Sequence, residues 1–159
     1  MKKDDLNVSR KMTDEELFWY NRLLTLYKPK SDFELHISTD KSYDVEGMYS
    51  PIADNKIILF INRGVIKDEC ENSYKNYDLD FQDTVLHEYG HLIEKETLNY
   101  KNPHSQMFYS LVSLLHLRYE KLYKPGNFLV PKSLVFSIIK NNKLNKLLNI
   151  LGYDSNKDL

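Results

Sequence analysis

Cysteine occurs once in the 159 residues, as Cys70, so no internal disulfide can staple the chain and a packed core must hold it. Glycine and proline are sparse at five each; no linker divides the chain, and no repeat or low-complexity tract is visible. Nowhere do apolar residues run long enough to cross a bilayer, and Met1-Lys2-Lys3-Asp4-Asp5 leads into no apolar signal segment. With a lone thiol, these absences lead us to expect a cytoplasmic protein with no membrane partner. Cys70 stands between Glu69 and Glu71 in the polar stretch from Asp68 to Tyr77, which reads as a loop; acidic neighbours raise a thiol pKa, so an incidental role is expected.

Net charge is −1, unevenly laid out. From Asp68 to Glu96 there are nine acids against two Lys, whereas Lys121 to Tyr153 holds six Lys and no acid. A DNA-binding or acidic-partner surface is one reading of the second stretch. Arg is scarce, however, and forms no cluster there, so a solvated helix face is the favoured one. A hydrophobic fraction of 42% with 28% charged residues suits one soluble domain over residues 1–159.

Thr13-Asp14-Glu15-Glu16 is a capping box opening a first helix that stops before Pro29. Phe33, Leu35 and Ile37 alternate with polar residues as a half-exposed strand, which turns His36 away from the core. Strands over Val45 to Ser50 and Lys56 to Asn62 follow, joined by a turn-rich loop from Pro51 to Asn55. Helices are expected from near Asp78 to Leu98, from about Pro103 to Tyr123 and from about Pro131 to Leu151. The class is α+β, with a small three-stranded sheet packed on the helix that begins near Asp78 and further helices towards the C-terminus.

That helix carries His87-Glu88-Tyr89-Gly90-His91, an H-E-x-x-H motif. Residues four apart lie about 40° apart around a helix axis, so two imidazoles can close on one metal while Glu88 stands beside a bound water. Phe81, Val85, Leu86, Tyr89, Leu92 and Ile93 fall on one side of the wheel and the two His on the other. A core helix has no need of two His stacked on its non-core stripe. Asp80, Asp83, Thr84 and Glu94 surround them as candidate partners for the ring N–H groups.

Catalytic zinc takes three protein ligands and keeps a position for water. A metzincin continuation is excluded, since Glu94 and Thr97 occupy the positions of its Gly and His. His104 follows Asn102-Pro103, an N-cap and N1 pair, and shares a stripe with Phe108, Leu111 and Leu115; it is the preferred third ligand. The alternative is a Glu ligand, as in thermolysin-like and Imm-type regulatory peptidases. No acid lies between Glu120 and Asp154, so the candidates are Glu94, Glu96 and Glu120; Glu94 would have to bend back to its own helix's metal and Glu96 faces the core side, which leaves Glu120.

His87-Glu88-x-x-His91, twelve residues, then His104-x-x-x-Phe108 resembles the SprT-like zincin domain, over roughly Phe33 to Tyr123. Gly47-Met48-Tyr49 and Ile57 to Ile61 are similar to the strand pair that family places before its motif helix. Pro103 departs from the family's usual Gly, and one Cys cannot build the zinc ribbon many members carry. The resemblance implies a zincin-like metallopeptidase fold whose edge strand lies over the cleft and holds an extended peptide. The expected activity is a zinc-dependent endopeptidase acting on protein or peptide, with Zn²⁺ on His87, His91 and His104 and Glu88 taking the proton of the attacking water. Tyr49 and His116 are candidates for stabilising the oxyanion. The contrasting expectation is a zinc-bearing regulatory or DNA-associated module without turnover; an intact Glu88, which is no ligand, argues for the enzyme.

Overall fold

A computed structural model describes residues 10–52, 56–73, 75–98, 104–124, 148, 149 and 151. Helix α1 (Asp14–Leu26) opens at the capping box: the Thr13 hydroxyl accepts from Glu16 N at 3.3 Å, and the Glu16 carboxylate accepts from Thr13 N at 2.7 Å. Glu16 does more than cap. Fully buried, it also accepts from both terminal nitrogens of Arg10 and from Ile37 N at 2.7 Å, which ties α1 to the neighbouring strand.

The strands β1 (Phe33–Ser38), β2 (Gly47–Pro51) and β3 (Ile57–Asn62) form one sheet in the order β1-β3-β2. β3 pairs parallel with β1 and antiparallel with β2, and all its residues are buried, so its apolar run is continuous rather than alternating. Alternation sorts the faces. Phe33, Leu35, Ile57, Leu59 and Ile61 join the main core, while Ile58 and Phe60 form a small cluster with Tyr43, Met48 and Ile52 on the other side. Gly47 and Tyr49 lie opposite Ile61 and Leu59, so they share the main-core face. His36, in register with Phe60, is on the far face as expected, but it is buried there against Glu34, with Nε2 2.9 Å from Oε2.

One expectation is overturned after β3. Residues Arg63–Ser73 form helix α2, where a polar loop was expected from Asp68 onward. Its inward stripe is short: only Gly64, Ile66 and Cys70 are buried, and Gly64 lies so close to Thr39 that a Cβ would stand 2.5 Å from its carbonyl oxygen. Cys70 is therefore a core residue, not a loop thiol. Burial, then a hydrogen bond to Asp80 Oδ2 at 3.3 Å, pushes its pKa up to about 11.

Helix α3 (Tyr77–Thr97) starts where Asn76 Oδ1 accepts from Asp78 N and Leu79 N. Its predicted core residues, Phe81, Val85, Leu86, Tyr89, Leu92 and Ile93, are all buried. Helix α4 (Gln106–Tyr123) packs along it at Gly90, where a Cβ would meet Val112 Cγ2 at 2.9 Å. The cap of α4 is Ser105, whose hydroxyl accepts from Phe108 N at 3.2 Å, and not the Asn102-Pro103 pair. The α+β class holds, with α1, β1, β3, α2, α3 and α4 all contributing to the main core. The helix expected over 131–151 and most of the Lys-rich stretch lie outside the described residues, although Leu148 and Leu151 are buried in that core. No helix among the described residues is long and apolar enough to cross a membrane.

Candidate metal centre

On α3 the His87 and His91 rings stand edge to face, centroids 4.9 Å apart. His104 reaches them from the chain before α4. Its Nε2 lies 3.0 Å from His87 Nε2 and 3.1 Å from His91 Nε2, and among the described residues this is the one group of three or more His, Cys, Asp or Glu side chains spaced to hold a metal. His104 is not in the first turn of α4, as its sequence context suggested. It precedes the Ser105 cap with φ 63°, the left-handed region, and its side chain is exposed rather than on an inward stripe. Such a backbone costs about 1–3 kcal/mol outside glycine, and here it brings the third imidazole back over α3.

The donor set fits a metal. His104 Nε2 carries one hydrogen or one lone pair yet faces two partners, so ring-to-ring hydrogen bonding satisfies one contact at most, whereas a cation accepts all three lone pairs. Nitrogens bonded at about 2.0–2.1 Å to one tetrahedral ion stand roughly 3.3 Å apart, so the observed 3.0 and 3.1 Å need adjustment by a few tenths. Burial first, then the neighbouring imidazoles, lowers the pKa of His87, and that of His91 to about 4; both are held neutral, as ligands must be. Phe108 braces the cluster, stacked on His91 at 4.2 Å and edge-on to His87 and His104.

Glu88 points to the strand side of the same turn. It is buried, accepts a hydrogen bond from the Tyr49 backbone N–H, and burial raises its pKa to about 7 despite that bond. A carboxyl balanced there can both accept and return a proton near neutrality. Gly47, Met48, Tyr49, Glu88 and the three His line a cleft of about 320 Å³. A larger cavity, about 850 Å³, lies against α1, α2 and the start of α3 and contains none of these residues.

Of the residues expected around the His pair, Glu94 comes within 3.7 Å of a ring, Oε2 to His91 Nδ1, without an ion pair because that ring is neutral. Asp83 bonds His116 instead, at 2.6 Å; Asp80 takes the Cys70 thiol; the Thr84 hydroxyl donates to the Asp80 carbonyl at 2.9 Å. Glu120 accepts from Gln82 and pairs with Lys124, and it is not part of the cluster. Tyr49 lines the cleft, its ring 6.3 Å from that of His91, but His116 does not. Gly47 was not foreseen. A Cβ there would stand 2.7 Å from Glu88 Oε1 and 2.8 Å from Thr84 Cγ2, so only glycine lets β2 approach α3 this closely. A glycine inside a strand pattern was the available signal.

No family model matches the chain, and no curated protein or solved structure matches it either.

Proposed function

We propose that the protein is a zinc-dependent endopeptidase with a zincin-like site of the SprT type. The observation that carries this reading is the convergence of the three Nε2 atoms beside a buried, proton-poised carboxyl within one cleft. His87, His91 and His104 would hold a divalent ion, which would supply Lewis acidity to a water and a carbonyl. Glu88 takes the proton of the attacking water and delivers it to the leaving amine, a role its near-neutral balance supports. The Tyr49 N–H holds the carboxylate in place, and the Tyr49 side chain is the better placed of the two oxyanion candidates because it lines the cleft. β2 is an edge strand among the described residues and borders the cleft, which supports binding of an extended polypeptide by main-chain pairing.

The test is Glu88→Gln, which keeps shape but removes the basic oxygen. Zinc content should persist while cleavage of an unfolded protein substrate falls at least about 10²-fold. A variant that loses zinc places Glu88 in the coordination sphere; a variant that keeps full cleavage refutes its role as base.

A further inference from the structure

Glu94 is the one acid on α3 whose burial has no visible return. Its side chain is 8% exposed, its Oε1 has no hydrogen-bond partner among the described residues, and its Oε2 stops 3.7 Å from His91 Nδ1, too far for a hydrogen bond. That nitrogen is on the side of the ring away from Nε2, which faces His104. An unsatisfied buried carboxyl costs free energy in either protonation state, and sequence offers no packing reason for a Glu where an apolar side chain of the same length would serve.

We propose that Glu94 is the positioning and charge partner of the metal centre: it receives the Nδ1–H of His91 when a divalent cation is held at Nε2, and it destabilises the metal-free fold until that cation binds. This rests on the three-histidine metal centre, though not on peptidase activity. The chemistry follows from the ring. A cation on Nε2 makes Nδ1–H a stronger donor, the carboxylate accepts it, and the negative charge partly offsets the charge of the ion in a site whose three ligands are neutral. Closing the gap needs a movement of under about 1 Å, which a side-chain rotation provides.

Stability and affinity should therefore respond in opposite senses. The full chain, stripped of metal, is titrated with Zn²⁺ and Co²⁺ against a chromophoric chelator, and the metal-free forms are melted at one pH. Glu94→Gln should weaken zinc binding by about 10–100-fold while the metal-free protein unfolds at the same or a higher temperature. Glu94→Met, which removes both charge and acceptor, should weaken binding at least as much and raise the metal-free melting temperature further. The Co²⁺ visible spectrum should shift in both variants, since the His91 ring loses its anchor. Unchanged affinity in both variants overturns the proposal, as does a loss of affinity matched by a fall in metal-free stability, which would make Glu94 a structural residue. A wild-type chain that takes up neither ion overturns the metal centre itself, and the role of Glu94 with it.

Discussion

Glu16 and Glu88 are both withdrawn from water, at 0% and 7% exposure, yet their pKa values move in opposite directions. Burial alone would push either carboxyl up. At Glu16 that push is outweighed by hydrogen bonds from Arg10, Ile37 N and Thr13 N together with the charge of Arg10, so the pKa falls to about 2. At Glu88 one backbone N–H from Tyr49 is too little, and the pKa rises to about 7. The number of donors aimed at a buried carboxylate thus separates an anchor from a group able to move a proton. At the anchor the fold is stabilised by the charge; at the other it tolerates the charge for the sake of the site.

The comparison breaks most visibly at the anchor. Glu16→Gln should lower stability by about 3 kcal/mol at neutral pH, because it leaves Arg10 and two backbone donors poorly satisfied. The folded-state pKa of Glu16 is depressed below its ordinary 4.5, so its contribution is full above that value and is lost as pH falls towards about 2. Denaturant melts across that window should show wild type losing stability faster than the variant.

In metal-free protein Glu88 should show the reverse sign. Its folded pKa lies above the ordinary 4.5, so the stability penalty is absent below that value, grows as pH rises, and is complete above about 7. Metal-free Glu88→Gln should therefore be more stable than wild type by about 2 kcal/mol at pH 8, on the scale of a partly compensated buried charge, and the difference should vanish in acid. Equal stability at both ends would remove the contrast with Glu16.

Gly47→Ala sharpens the comparison at smaller cost. The new Cβ collides with Glu88 and Thr84, so we expect about 1–3 kcal/mol of overpacking strain. Zinc affinity should stay near wild type, because Gly47 contacts no imidazole in that overlap. Under the proposed function, kcat for peptide cleavage should fall as Glu88 is displaced.

What was legible in the sequence was local. The i, i+4 spacing of His87 and His91 and the burial of Tyr89 and Leu92 follow from helix geometry within one element. His104 was recognisable as a partner through its sequence separation and Phe108, but its backbone was not, since Asn102-Pro103 and Ser105 offer competing caps and tertiary closure chose the later one. Helix α2 escaped because three small or modest inward residues give almost no periodic signal. The parallel pairing of β1 with β3 and the near-contact of Gly47 with Glu88 are relations between elements, which no single stretch of sequence displays. Thr13 and Glu16 were readable as a cap, whereas the further bonds to Arg10 and Ile37 depend on where β1 lands.

The most direct test of the central claim is zinc titration of metal-stripped wild type beside His104→Ala and Glu120→Ala. Wild type should bind one equivalent with micromolar or tighter affinity, His104→Ala should weaken it by orders of magnitude, and Glu120→Ala should match wild type. Failure of wild type to take up zinc, or a loss of binding confined to Glu120→Ala, would contradict a centre built from His87, His91 and His104.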